Sequence, residues 1–323
     1  MKIDPVTRRT FFKAAGFAAA ALAGGFGLGG VAARASEEHN VPHSSGKAAP
    51  KLKAPARACD SHLHIYDPKF PPPGPSARLV TNAGVEQYKL LQKRIGTTRA
   101  VIVTPSAYGT ANEVTLDAIR QLGTANARGV AVVTTEITDA ELKKMADDGI
   151  CGIRFTLFDP RTAVTSFEMI EPLAKRANDL GWHVQLHLRG DQIVEREDLL
   201  ARIAAPIVFD HMGRIPQPEG VNHPAFKIIC RLIDKGWTWV KLSGVYQDTK
   251  VGPPTYSDAT EVARAYLRFA PERMVWGSDW PHPTERDHKP DDAVLFDLLS
   301  GWAPDEVLRN QILVGNPQKL YGF

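Results

Sequence analysis

Four short segments carry side chains that can activate water or grip an anion. His62-Leu63-His64 sets two imidazoles two residues apart. In an extended strand alternate side chains share a face, so both rings converge with Leu63 opposite. Neutral imidazoles ligate divalent metals and polarise carbonyls. His187 ends an apolar run, with Arg189 two residues on. Asp210-His211-Met212-Gly213-Arg214 adds a carboxylate, an imidazole and a guanidinium. Gly277-Ser278-Asp279-Trp280-Pro281-His282 closes the series. Taken singly, each histidine reads as structural and each aspartate as a cap. Together, in the order HxH, His, His, Asp at strand ends, they make a far stronger signal of one site.

Such a set works only if the chain brings it to one place. Short β-branched runs at residues 58–66, 100–105, 129–134, 152–157, 183–188, 207–211, 239–243 and 274–278 read as strands. Stretches at helical spacing lie between them, including 86–95, 113–122, 139–147, 167–180, 196–203, 224–235 and 257–269, and 292–302 follows the last strand. Thr138, Ser166 and Ser257 suit N-caps, and Gly123, Gly149, Gly181 and Gly236 suit helix ends. Eight strand–helix units in one chain predict a (β/α)8 TIM barrel, in the α/β class. A doubly wound sheet needs a glycine-rich phosphate loop after its first strand, and none is present. In a barrel the active site forms at the C-terminal strand ends, and that is where the polar residues fall.

The chain has 323 residues, 43% hydrophobic and 23% charged, the composition of a globular protein. Residues 1–35 hold Lys2, Arg8, Arg9, Lys13 and Arg34 against Asp4, so of the total +3 this stretch contributes +4 and the remainder −1. A near-neutral body excludes a phosphate-gripping nucleic-acid binder. The three cysteines are too few and too scattered for a disulfide scaffold and read as small buried residues. Arg8-Arg9 before a Gly/Ala-rich apolar run resembles a twin-arginine export signal, with Ala33-Arg34-Ala35 as cleavage site. We therefore expect residues 1–35 to be a signal, 36–55 a flexible linker and 56–323 the catalytic domain. The signal implies the twin-arginine (Tat) export machinery as a partner, a periplasmic location after cleavage behind Ala35, and no stable membrane association of the mature chain.

The segments Asp60–His64, Asp210–Arg214 and Trp276–His282, with the closing Asn316-Pro317-Gln318-Lys319-Leu320-Tyr321-Gly322, resemble the amidohydrolase superfamily in its lactonase branch. The resemblance runs from Asp60 to Phe323. It implies that His62, His64, His187 and Asp279 hold one divalent metal, zinc or manganese. It implies Asp279 as general base for a water, His211 as the strand 6 histidine that polarises a carbonyl or handles a proton, and His187 as a further catalytic group. Binuclear members place a carboxylated lysine or a glutamate on strand 4. Here that strand reads Gly152-Ile153-Arg154-Phe155, so one ion is the expected maximum. The branch also contains a metal-independent lactonase. In that alternative His62 and His64 bind and polarise the substrate carbonyl themselves.

Arg154, Arg189 and Arg214 lie on or just beyond strands 4, 5 and 6. Guanidinium groups bind carboxylates and sulfonates in a bidentate way, so a small acid is the expected substrate. Arg154 reads either as an anion grip or as one half of an ion pair. Ser243 and Tyr246, ending strand 7, are candidates to hydrogen-bond the substrate. The implied reaction is hydrolysis of an anionic lactone such as 4-sulfomuconolactone or 2-pyrone-4,6-dicarboxylate, in aromatic or sugar-acid catabolism. The alternatives are a metal-dependent decarboxylase or lactone isomerase of the same superfamily, and a non-catalytic barrel that binds an acid in the periplasm.

Overall fold

The computed structural model describes residues 40–74 and 79–323. Eight parallel strands run in chain order: β1 Cys59–Leu63, β2 Arg99–Val103, β3 Ala127–Ala131, β4 Ile150–Thr156, β5 His183–His187, β6 Ile207–Phe209, β7 Thr238–Leu242 and β8 Met274–Trp276. The main helices are α1 Val85–Ile95, α2 Glu113–Leu122, α3 Asp139–Asp147, α4 Ile170–Asp179, α5 Gly190–Glu195, α6 Glu197–Arg202, α7 Pro224–Asp234, α8 Ser257–Phe269 and α9 Asp292–Trp302. This is the expected TIM barrel. The third strand begins two residues earlier than its apolar pattern implied, at Ala127, because Arg128 is only partly buried and breaks the pattern. Local rules fix several boundaries. Thr138 caps α3 in a reciprocal box: its hydroxyl accepts from the Glu141 amide, and Glu141 accepts from the Thr138 amide.

Strand alternation separates two apolar layers. Ile102, Ile153, Phe155, Leu186, Phe209, Val240 and Leu242 pack outward against the helices. Cys59, Val101, Val130, Val208, Trp239 and Val275 form the inner cluster, with Tyr321 against it. By the same alternation Arg154, Gln185 and Lys241 point inward, and Asp210 follows β6 on that face. They form a fully or almost fully buried polar layer where a barrel ordinarily packs branched side chains.

The sheet closes between β1 and β8 through the residues just beyond β8. The Asp279 amide donates to the His62 carbonyl and the His64 amide to the Trp280 carbonyl, both at 2.8 Å. Asp60 reinforces this seam. Its carboxylate accepts from the Ser278 amide (2.8 Å), the Ser278 hydroxyl (2.6 Å) and the Tyr88 hydroxyl of α1 (3.2 Å). Gly277 makes the approach sterically feasible. A Cβ there would lie 2.7 Å from His62 Cβ and 2.8 Å from its backbone nitrogen.

Two expectations need correction. Residues 40–55 are not a free linker. Val41 and Ser44 are buried, the Trp280 indole donates to the Pro42 carbonyl at 2.7 Å, and His43 sits edge-on to Trp280 while bonding the Thr81 carbonyl. Arg94 of α1 binds Ser44, Ser45 and Ala48 and pairs with Asp291, and the Lys51 and Leu52 amides donate to Asp297. The polar, Pro-rich composition resembles a linker, yet its backbone groups find fixed partners on the barrel. Among the cysteines only Cys59 is fully buried; Cys151 and Cys230 are half-buried. The export signal lies outside the described residues. Among those described, no helix is long and apolar enough to cross a membrane.

The docked arm yields a direct test. A chain starting at residue 40 should melt with the full chain. One starting at residue 54 orphans the Trp280 indole and the Arg94 donors, which costs about 2 kcal/mol or more. Its melting temperature by calorimetry should fall by roughly 4–8 °C.

Candidate active site

The β1–β8 seam brings the HxH pair against Asp279. His62 Nε2 and His64 Nε2 are 3.3 Å apart, and Asp279 Oδ1 is 3.5 Å from each. All three side chains are buried. His64 Nδ1 lies 2.8 Å from the Val103 carbonyl, which can only accept, so the ring proton is on Nδ1 and Nε2 presents a lone pair. His62 Nδ1 lies 3.1 Å from Asp210 Oδ1 and 3.2 Å from Lys241 Nζ. We assign its proton to Nδ1, because the charged carboxylate is the stronger partner, while Lys241 has a shorter bond to Gln185 Oε1 at 2.7 Å. The His62 Nε2 lone pair then also faces the cluster. Three acceptors that meet without a shared proton repel one another unless a cation sits among them. The donor set therefore fits a divalent ion held by His62, His64 and Asp279, with Asp210 orienting His62 from behind.

The electrostatics agree. Burial, assisted by Lys241, pushes the His62 imidazole down to about 3. Burial likewise brings His211 down to about 3. Both rings are neutral at working pH. Burial pushes the Asp279 carboxyl up, but the histidines around it, His211 first, outweigh burial and hold the group well below the usual carboxylate range. Asp210 behaves similarly: burial is outweighed by His62, Arg154 and Lys241. Burial lowers the Lys241 ammonium to about 8, against the pull of Asp210.

His211 Nδ1 lies 2.9 Å from the Ser243 hydroxyl, and its Nε2 lies 3.9 Å from Asp279 Oδ1. The carboxylate favours a proton on Nε2, with Ser243 donating to Nδ1. Arg154 spends Nε on Asp210 Oδ2 at 3.0 Å, and its outer guanidinium nitrogens have no hydrogen-bond partner among the described residues. Arg154 is therefore ion-paired, as one of its two readings expected, and keeps donors on its outer nitrogens. Backbone strain marks the site too, since His211, Arg214 and Asp279 all have positive φ, a conformation that costs about 1–3 kcal/mol unless the surroundings enforce it.

Several expected roles shift. His187 does not join the cluster. Its Nε2 accepts from Arg214 Nη1 at 3.1 Å, and its ring stacks on Phe158 at 5.3 Å. Arg214 pairs through both its remaining nitrogens with Asp248, at 2.6 and 2.9 Å, so it is neutralised rather than free for substrate. Arg189 turns away to Asp191 and the Phe158 carbonyl. Ser243 holds His211, and Tyr246 donates to Asp279 Oδ2 at 2.6 Å; neither hydroxyl is left for substrate. Sequence reasoning missed Lys241, Gln185, Asp248 and Phe158. A signal existed for the first two, since each interrupts an apolar strand at an inward position. Asp248 and Phe158 lie in loops whose paths no local pattern reveals.

The amidohydrolase family model matches residues 59–323. The chain is 34% identical over 297 residues to 4-sulfomuconolactone hydrolase of Rhizobium radiobacter, covering 89% of this chain and 98% of that protein. It is 33% identical over 282 residues to 2-pyrone-4,6-dicarboxylate hydrolase of Comamonas testosteroni, covering 84% and 92%. It is 31% identical over 277 residues to D-galactarolactone isomerase of Agrobacterium fabrum, covering 84% and 94%. Among solved structures, an apo Agrobacterium tumefaciens protein superposes with a TM-score of 0.80 at 29% identity, covering 87% of this chain and 98% of that one. A family match across the whole barrel and identity above 30% over nearly the full length of these relatives settle the assignment: the chain belongs to the amidohydrolase family.

Proposed function

We propose that this chain is a hydrolase that opens a small anionic lactone, carboxylated or sulfonated, in the breakdown of aromatic or sugar acids. The observation that carries the reading is the convergence of His62, His64 and an ionised Asp279 beside neutral His211 and the unspent donors of Arg154. Two relatives named as lactone hydrolases support it. Arg154 holds the substrate's acidic group. His211 Nε2–H polarises the ring carbonyl. Asp279 Oδ1 takes a proton from water as the water oxygen bonds to the carbonyl carbon. Collapse of the adduct breaks the ring C–O bond, and Asp279 returns the proton to the departing oxygen. A carboxylate with so low a proton affinity is a weak base for bulk water. A divalent ion at His62, His64 and Asp279 would supply what is missing, by acidifying the water and polarising the carbonyl. Zinc and manganese both suit two imidazoles and a carboxylate.

Export in folded form by the twin-arginine route, to the periplasm, belongs to the same proposal. What supports it is the Arg8-Arg9 pair and the Ala33-Arg34-Ala35 site.

The direct test is turnover of a panel of carboxylated and sulfonated lactones with product mass. A gain of one water is expected, with Asp279→Asn lowering kcat by about 100-fold or more, the scale of a lost acid–base group. An unchanged product mass would establish an isomerase, and carbon dioxide release a decarboxylase. The pH profile gives a second check. His62 and His211 are neutral and Asp279 is ionised throughout the mildly acidic range, so kcat/KM should stay flat down to about pH 5. It should decline on the alkaline side near 8, where Lys241 loses the charge that balances Asp210.

A further inference from the structure

A second buried chain leads away from Asp279. The Tyr246 hydroxyl lies 2.6 Å from Asp279 Oδ2 and 2.9 Å from His282 Nδ1. His282 Nε2 lies 3.1 Å from Asp292 Oδ2 at the start of α9, and both residues are fully buried. A tyrosine has one hydroxyl proton, and the ionised Asp279 takes it. The Tyr246 oxygen must then accept from His282 Nδ1–H. His282 Nε2 meets a carboxylate, so a proton lies between that nitrogen and Asp292. Every bond from Asp279 to His282 therefore has a defined direction. Gln247 Nε2 adds a second donor to the same Asp279 oxygen at 2.8 Å.

The far end is anchored. The Asp292 amide donates to Ser44 of the docked arm, and Arg94 ties that serine to Asp291. Lys289 Nζ holds the carbonyls of Pro281 and His282 at 3.0 and 2.7 Å. The charged or titratable groups near the chain include Lys289 and His43 on the loop side, Asp60 and Tyr256 near Asp292, and His62, His64 and His211 on the site side.

We propose that Tyr246, His282 and Asp292 are positioning residues for the reaction. They lock Asp279 Oδ2, so that only Oδ1 is presented to His62, His64 and His211. The proposal rests on the reading of Asp279 as the acting carboxylate.

The experiment compares Tyr246→Phe, His282→Gln and Asp279→Asn in the full chain, by kcat and KM of lactone turnover and by melting temperature. In Tyr246→Phe, kcat should fall about 10–100-fold, the usual cost of removing such a supporting partner. KM should stay within about twofold, since the substrate is not touched. His282→Gln should lower kcat in the same way at unchanged KM. The melting temperature of each should fall by a few degrees at most, since the side chains still fill their places. An unchanged kcat in Tyr246→Phe overturns the proposal, whatever His282→Gln does. A raised KM at unchanged kcat also overturns it and makes Tyr246 a substrate contact. Full turnover by Asp279→Asn would instead sink the reading of Asp279 itself.

Discussion

The closure of the barrel between β1 and β8 is the constraint on which the site depends. This seam is not a long strand ladder. It is two backbone hydrogen bonds between the HxH segment and the residues after β8, braced by the Asp60 carboxylate on Ser278 and Tyr88. The same residues that close the sheet gather the candidate catalytic groups. His62 accepts from the Asp279 amide through its carbonyl while its ring meets the Asp279 carboxylate. Loss of the seam would thus open the barrel and scatter the site together. A buried carboxylate with three or four donors suits this task, because leaving those donors unpaired costs about 1–3 kcal/mol each.

Beneath the mouth lies the second unusual feature, a layer of charge in the barrel interior. Asp210 sits between Arg154 and Lys241, and Gln185 bridges to both the lysine and the aspartate. Burying such charges stabilises the fold weakly at best, since desolvation offsets most of the attraction. Its contribution is to orientation. Asp210 lies against the His62 ring from below and holds Arg154 by one nitrogen, leaving the other two without a partner among the described residues. His62 and His211 stay neutral because burial strips them of water, and that neutrality leaves the His62 Nε2 lone pair facing the cluster.

Much of this is visible in the residues themselves. The eight strand–helix units show in hydrophobic periodicity, and the gathering of HxH, His211 and Asp279 follows from strand-end position alone. What the sequence hides is how charges pair across loops. Arg214 and Arg189 resemble substrate grips by type and place, yet Asp248 and Asp191 claim them. Ser243 and Tyr246 resemble substrate donors, yet His211 and Asp279 lie nearer. His187 falls in the right register for a ligand, yet the Arg214 fork reaches it first. Each miss has the same cause: the partner is set by side-chain reach between loops, which no local periodicity encodes. The arm at residues 40–55 is a related case, since its composition is that of a linker and only the Trp280 and Arg94 donors reveal its seat.

The β1–β8 seam gathers three acceptors that suit a cation. The decisive measurement is calorimetric titration of metal-stripped protein with zinc or manganese, in the full chain and in a folded Asp60→Ala variant. One ion per chain is expected, with affinity lower by about tenfold or more once the seam brace is removed. Equal affinity in the two proteins, or no binding by the intact chain, would contradict that expectation.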